Sequence, residues 1–118
     1  IPWLGRSEFL GLVRSAVACL DGFGFSGFNT ALQSLQVGTP MVTLAGRFMR
    51  GRLASGILTH VGLEEFVAGD TAGFVERAIA CARLADNAPM RAHIRDAVEA
   101  AFDDPAPMRA LDEYLKRL

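Results

Sequence analysis

Two short apolar runs, separated by a stretch with helical periodicity, dominate the first half of the chain. The runs Ala16–Leu20 and Met41–Leu44 are short and continuous, which is typical of buried strands. A glycine-rich turn follows the first run, and the segment Phe28–Val37 then repeats its apolar residues at helical spacing. Gly38 and Pro40 end this helix before the second run. The order of strand, glycine turn, helix and strand predicts a βαβ unit.

Helical periodicity also predicts helices on both sides of this unit. Before it, apolar residues recur at helical spacing after Ser7, which is placed to cap the helix. The elements predicted after the unit are, in order, a helix that begins after Gly46 and ends near Gly62, a short strand at Phe66-Val67, a helix capped near Asp70, a helix that begins near Pro89, and a final helix Met108–Leu118. We therefore expect an α/β domain with a helix-rich carboxyl-terminal end.

The end of the first predicted strand is expected to bind an anion. Gly22, Gly24 and Gly27 allow a tight turn whose backbone N–H groups point into the space above the strand. The first helical turn adds unpaired N–H donors and the positive end of the helix dipole. Asn29 and Thr30 lie in that turn, where they either cap the helix or bind a ligand. A phosphate or diphosphate is the most natural ligand for such a site.

The same glycines leave two other interpretations open. The turn Gly22–Gly27 matches G-x-G-x-x-G between a strand and a helix, which is typical of dinucleotide-binding domains. Arg47, after the next strand, stands where an NADP-binding oxidoreductase holds the 2′-phosphate. Asp21 argues against this reading, because its carboxylate is expected where the pyrophosphate would lie. A purely structural turn is the third interpretation, since short glycine turns are common without a ligand.

Further polar residues are candidates for the same site. Gln33 lies one turn beyond Asn29 and Thr30, where it either reaches a ribose or diphosphate or belongs to a solvated face. Arg47, Arg50 and Arg52 follow the second strand on the side of the glycine turn, and an arginine there can clamp phosphate oxygens with two hydrogen bonds. Neither histidine has a carboxylate or nucleophile at a recognisable spacing, so we assign no catalytic residue.

Composition narrows the class of protein. The 118 residues suffice for one domain, and a net charge of −1 provides no general attraction to nucleic acid. No apolar stretch approaches the roughly 20 residues that span a bilayer, and we predict neither a membrane nor a nucleic-acid partner. The 2 cysteines form no disulfide framework or metal site, which suits a cytoplasmic protein. The chain begins with Ile1 rather than Met, and we interpret it as part of a longer protein.

The segment FGFSGFNTALQSLQVGTPMVTLAGRFMRGRLASGILTHVGLEEFVA resembles the carboxyl-terminal part of the O-linked N-acetylglucosaminyltransferase family, in particular its bacterial relatives. In that family, N-G-H-T-T-x-x-D-x-L-x-x-G-x-P-V-V-T-x-x-G is followed by S-R-x-x-A-S-x-L. Ser26-Gly27 corresponds to the N-G pair and Thr30 to the second threonine. The other matching positions are Leu35, Gly38, Pro40, Val42, Thr43, Gly46, Arg52, Ala54, Ser55 and Leu58. The match runs from Phe9 to Ala68 and more loosely to the end of the chain.

The resemblance implies a Rossmann-like, three-layer parallel-sheet half-domain of a GT-B glycosyltransferase. Residues 1–118 would be a single domain, part of the carboxyl-terminal nucleotide-sugar-binding domain of a longer enzyme. The implied donor is a UDP-sugar, either UDP-N-acetylglucosamine or a UDP-hexose, the acceptor is a protein or peptide, and no cofactor or metal is required. The family's catalytic lysine would lie before Ile1, so the isolated fragment is expected to be inactive. The final helix would pack toward the other domain.

The resemblance also implies roles for individual residues. Gly27, Phe28, Asn29 and Thr30 would hold the diphosphate through backbone N–H groups and the Thr30 hydroxyl. Gln33 would take the position of an aspartate that binds the ribose. The nucleotide-sugar-binding residues predicted in this way are Ser26, Gly27, Phe28, Asn29, Thr30, Gln33 and Arg52.

Three of these residues depart from the family pattern. Phe28 replaces the motif histidine, Asn29 replaces the threonine that follows it, and Gln33 replaces the ribose-binding aspartate. Phe28 can offer a phosphate only its backbone, and a neutral amide binds a hydroxyl less strongly than a carboxylate does. Two alternatives therefore stay open beside the glycosyltransferase: an NADP-binding oxidoreductase domain, and a non-catalytic interaction module of the same fold.

Overall fold

A computed structural model describes residues 2–84, 87–102 and 104–118. Three parallel strands form the sheet in the order β1-β2-β3. Cys19 pairs with Met41 between the first two strands, and Thr43 pairs with Val67 between the second and third. The elements are α1 (Arg6–Ser15), β1 (Cys19–Leu20), α2 (Asn29–Gln36), β2 (Met41–Leu44), α3 (Leu53–His60), β3 (Val67–Ala68), α4 (Thr71–Arg83), α5 (Ala88–Phe102) and α6 (Ala106–Leu115). The predicted βαβ unit is confirmed.

Local contacts fix the end of α2, the helix that connects β1 to β2. Gly38 has a φ of +78°, the left-handed conformation that ends a helix, and a side chain there would strike α5: a Cβ would lie 2.7 Å from the Arg91 carbonyl oxygen. The helix begins at Asn29 rather than Phe28 and ends at Gln36 rather than Val37. The hydroxyl of Ser34 donates to the Thr39 carbonyl (2.8 Å), which fastens the end of α2 to the entry of β2.

Several predicted boundaries shift for local reasons. Helix α1 is capped by Gly5 rather than Ser7, because the Glu8 carboxylate accepts a hydrogen bond from the Gly5 N–H (2.8 Å). The third strand is Val67–Ala68 rather than Phe66-Val67, since Phe66 ends a 3-10 turn and its ring is buried. The helix expected directly after Gly46 is preceded by a separate 3-10 turn, Met49–Gly51.

The core lies where α2, α3 and α4 meet the sheet and where α5 packs on α2. Leu35, Val42, Leu58 and Ile94 are fully buried there. Helix α5 packs against α2, and α4 packs against β2 and β3. The predicted stop at Gly62 is confirmed by its φ of +74°. Burial of large aliphatic side chains supplies most of the favourable free energy of such a domain.

The last helix differs from the others. Its large apolar residues are exposed, with Met108, Leu111, Tyr114 and Leu115 all at least half accessible to solvent. The expectation that this helix packs toward a second domain stays a prediction. Oδ1 of Asp104 accepts a hydrogen bond from the Ala106 N–H (2.9 Å) at the start of this helix. No helix in the described part of the chain is long and apolar enough to cross a membrane.

Candidate functional site

A buried carboxylate organises the turn between β1 and α2. Oδ2 of Asp21 accepts hydrogen bonds from the hydroxyl groups of Ser26 (2.6 Å) and Thr43 (2.7 Å), and its Oδ1 accepts one from the Gly27 N–H (2.9 Å). The residue is only 9% exposed. The expectation that this carboxylate occupies the pyrophosphate position is therefore wrong. Its charge is directed inward, where it fixes the glycine turn to β2.

Ser26 extends this network to the loop after β2. Its hydroxyl oxygen accepts a hydrogen bond from the Ala54 N–H at the start of α3 (2.8 Å), and its own N–H donates to the Arg50 carbonyl (2.7 Å). With 1% of its surface exposed, Ser26 is buried. Ser26 is one of the predicted nucleotide-sugar-binding residues, and its hydroxyl is engaged within the protein. Ser26 positions the two loops that follow β1 and β2.

The first turn of α2 leaves backbone donors open. The Gly27 N–H donates a hydrogen bond to Asp21. Among the described residues, however, the N–H groups of Phe28, Asn29 and Thr30 have no hydrogen-bond acceptor. No side chain caps the helix, and all three residues are exposed. Unpaired donors at a helix amino terminus combine with the positive end of the dipole. The geometry therefore suits an anion in front of this turn.

The three arginines after β2 divide into two groups. Arg52 precedes α3 and lines a largely apolar cavity of about 530 Å³ together with Phe28 and Leu32 of the first crossover. Arg47 and Arg50 instead stack on the Phe48 ring, with guanidinium carbons 5.6 and 5.0 Å from its centroid. Of the three, Arg52 is the one that shares a cavity with the start of α2.

Gln33 is half-buried and lines a different cavity, which we call the α1–α2 cavity. This cavity of about 500 Å³ is mostly apolar, and its lining residues are Pro2, Trp3, Leu4, Arg6, Phe9, Leu12 and Gln33. Gln33 and Arg6 are its polar side chains. The sequence analysis missed this cavity, because only the packing of α1 on α2 brings the first residues of the chain beside Gln33.

His60, at the carboxyl end of α3, lines the cavity that Arg52 shares with Phe28. The Nε2 of His60 is 3.6 Å from a carboxylate oxygen of Asp104, a partner too distant in sequence to be recognised from spacing. Burial within α4 raises the pKa of the Cys81 thiol. Among the described residues, no group of three or more His, Cys, Asp and Glu side chains is placed to hold a metal ion.

Comparison with known proteins identifies the family. The family model described as glycosyl transferase family 41 matches residues 6–116. The chain belongs to glycosyl transferase family 41. The resemblance to the O-linked N-acetylglucosaminyltransferases, which rested on the motif around Thr30, is thereby confirmed.

Two relatives are much longer than this family 41 chain, which spans only a small part of their length. A tomato (Solanum lycopersicum) protein described as a probable UDP-N-acetylglucosamine–peptide N-acetylglucosaminyltransferase SPINDLY is 38% identical over 60 residues, which are 51% of this chain and 6% of the relative. The structure of an O-GlcNAc transferase mutant from Thermobaculum terrenum superposes with a TM-score of 0.81 at 30% identity, over 97% of this chain and 22% of the other. The predicted Rossmann-like half-domain of the GT-B fold is confirmed.

Within the family 41 chain, the predicted site residues separate by what surrounds them. Ser26 and Gly27 are hydrogen-bonded inside the protein. The next three residues, Phe28, Asn29 and Thr30, have open N–H groups. Arg52 shares a cavity with Phe28, whereas Gln33 lines the α1–α2 cavity. The open amides and both cavities lie along α2, a helix of 8 residues.

Proposed function

We propose that this chain forms the donor-binding part of a glycosyltransferase that transfers a sugar from a UDP-sugar to a protein or peptide. Family membership supports the reaction class, and the two relatives bear names of enzymes that transfer N-acetylglucosamine. The observation that carries the proposal is the uncapped start of α2, where three neighbouring N–H groups lack a protein acceptor among the described residues. UDP-N-acetylglucosamine and a UDP-hexose are the candidate donors.

In this proposal the diphosphate lies in front of the first turn of α2. The N–H groups of Phe28, Asn29 and Thr30 donate to its oxygens, and the Thr30 hydroxyl adds a further donor. Arg52 provides positive charge from the adjoining cavity. Gly27 and Ser26 hold the turn in shape through Asp21 instead of contacting the ligand, which modifies the role inferred from the family resemblance.

The α1–α2 cavity supplies a place for the nucleoside. Gln33 lies one helical turn beyond the open amides, so its side chain is placed to bond a ribose hydroxyl. The rest of the cavity is apolar and aromatic, with Phe9 and Trp3 available to pack against a flat base. A volume of about 500 Å³ lies within the range of small-molecule sites.

The chemical contribution of this region is electrostatic. When the glycosidic bond to the diphosphate breaks, the leaving group gains negative charge on the oxygens that face α2. Fixed N–H dipoles and the Arg52 guanidinium stabilise that charge as it develops. They therefore stabilise the transition state more than the bound donor, and this difference lowers the barrier.

The Thr30→Val variant tests the proposed diphosphate site. Valine keeps the shape of the side chain and removes the hydroxyl, so UDP should bind roughly tenfold more weakly, the effect of losing about 1.5 kcal/mol from a hydrogen bond to a charged group. Isothermal titration of the intact protein with UDP measures this change. Thr59→Val, on the exposed surface of α3, is the matched control and should bind UDP like the wild type. Equal affinities of Thr30→Val and wild type would contradict the site.

Thermal unfolding in the presence of each nucleotide distinguishes the alternative functions. An NADP-binding oxidoreductase domain would be stabilised against thermal unfolding by NADP and not by UDP. A non-catalytic module of this fold would respond to neither nucleotide. We expect UDP and not NADP to raise the melting temperature of the intact protein, because a ligand that binds only the folded state stabilises it by RT ln(1 + [L]/Kd).

A further inference from the structure

Beside the proposed donor site, five residues form an exposed surface that the donor does not use. We call it the Phe–Arg ledge and define it as Phe25, Arg47, Phe48, Met49 and Arg50. Its three apolar residues are exposed: Phe25 by 74%, Phe48 by 57% and Met49 by 81%. Large apolar side chains gathered at one edge of a domain mark an interaction surface, and Phe, Met and Arg are enriched in protein interfaces.

The backbone beneath the ledge is fixed by hydrogen bonds and close glycine contacts. The Ser26 N–H donates to the Arg50 carbonyl (2.7 Å), and the Gly46 N–H donates to the Gly51 carbonyl (2.8 Å). A Cβ on Gly46 would lie 2.9 Å from the Gly51 carbonyl oxygen, so the loop crosses itself at a point where only glycine fits. A surface presented on a fixed backbone loses little conformational entropy when a partner binds.

The charges of the ledge indicate the chemistry of the partner. Arg47 and Arg50 both hold their guanidinium groups over the Phe48 ring, at 5.6 and 5.0 Å from its centroid. Among the described residues, neither forms an ion pair with a carboxylate. A guanidinium that interacts with the face of an aromatic ring in this way does not use its N–H donors on another acceptor, and they can bind carboxylate oxygens. The ledge therefore complements a segment that combines acidic and apolar side chains.

We propose that the Phe–Arg ledge binds an acidic segment of the polypeptide acceptor. Carboxylates of the segment pair with Arg47 and Arg50, and its apolar side chains cover Phe25 and Met49. Phe25 precedes Phe28 by three residues, which places its Cα within roughly 11 Å of the Phe28 Cα and so beside the open amides. A polypeptide on the ledge thus passes beside the donor. Its identity as the acceptor rests on the proposed function, whereas its binding requires no catalysis.

A binding experiment on the intact protein tests the ledge directly. The probe is a fluorescein-labelled twelve-residue peptide of alternating Asp/Glu and Leu/Phe, compared by fluorescence anisotropy with the same peptide carrying Asn/Gln. We expect the acidic peptide to bind about fivefold more tightly, and the Arg47→Gln/Arg50→Gln variant to lose this preference. Arg83→Gln, an exposed arginine of α4, should retain it. Equal affinity for the two peptides, or equal losses in both variants, would overturn the proposal.

Two further measurements separate the ledge from the donor site. The Arg47→Gln/Arg50→Gln variant should bind UDP like the wild type and raise the KM for an acidic acceptor while leaving kcat unchanged. Failure of UDP to bind would refute the donor site and leave the peptide result standing. Maleimide labelling of Met49→Cys in the intact protein, corrected for the thiols of the unsubstituted protein, should be fast. Labelling that becomes fast only after denaturation would show the ledge to be covered by another part of the protein, and would refute the proposal.

Discussion

Replacing Asp21 by asparagine should loosen both loops beside the proposed donor site. The carboxylate accepts three hydrogen bonds, from Ser26, Thr43 and Gly27, while asparagine offers one acceptor oxygen and an NH2 donor. In its better orientation the amide keeps the two hydroxyl groups as donors to its oxygen and turns its NH2 toward the Gly27 N–H. Losing the charge-assisted bonds and leaving one buried donor unpaired together lower the free energy of unfolding by about 2–4 kcal/mol.

Hydrogen exchange of the intact protein, followed by mass spectrometry, locates the effect. Peptides that cover residues 22–30 and 50–58 should exchange at least about tenfold faster in Asp21→Asn, since a loss of 1.4 kcal/mol in the free energy of local opening is a factor of ten. Thr43→Val, which removes a single donor, should give a smaller increase in both peptides. Asp96→Asn, on the exposed surface of α5, is the control. Wild-type exchange of both peptides in Asp21→Asn would refute the role of the carboxylate.

Two further predictions concern packing and titration. Gly46→Ala should lower the melting temperature, since overpacking against Gly51 costs about 1–3 kcal/mol, whereas Gly56→Ala, which meets no atom within 4 Å, should raise it slightly. Burial raises the pKa of the Cys81 thiol in the folded state, so the folded protein holds this proton more tightly than the unfolded chain does. The contribution of Cys81 to stability is thus fully present below pH 9.0, the ordinary thiol value, and lost above it, as urea unfolding at a series of pH values would show.

Local patterns were sufficient for the elements that depend on local interactions. The strand Met41–Leu44 was predicted with its observed bounds, because a continuous apolar run between a proline and a glycine turn admits few other structures. The cap at Asp70 follows the same logic, and its Oδ1 accepts a hydrogen bond from the Gly73 N–H (2.7 Å). The predicted boundaries that are wrong lie where contacts with a nearby residue determine the structure. Helix α1, for example, is capped at Gly5 rather than at Ser7, because the Glu8 side chain accepts a hydrogen bond from the Gly5 N–H.

The surroundings of the site could not be predicted in this way. The orientation of Asp21 depends on Thr43, 22 residues away, and the position of Ser26 depends on the start of α3, 28 residues away. Similarly, the α1–α2 cavity exists only because α1 packs beside Gln33. The motif around Thr30 predicts that the donor-binding groups lie on the first turn of α2, but which amides are open and which are used internally is a property of long-range contacts.

The effect of Asp21→Asn on UDP affinity tests whether positioning or charge dominates at this site. A carboxylate beside a bound diphosphate repels it, and two unit charges roughly 8 Å apart near a protein surface interact by about 2 kcal/mol. If that repulsion governed binding, asparagine would strengthen it. However, three donors point their dipoles at Asp21 and offset its charge, while the same bonds fix the turn that aims the Phe28, Asn29 and Thr30 amides outward. We therefore expect Asp21→Asn to bind UDP more weakly in isothermal titration, and tighter binding would show that the carboxylate does not position the turn.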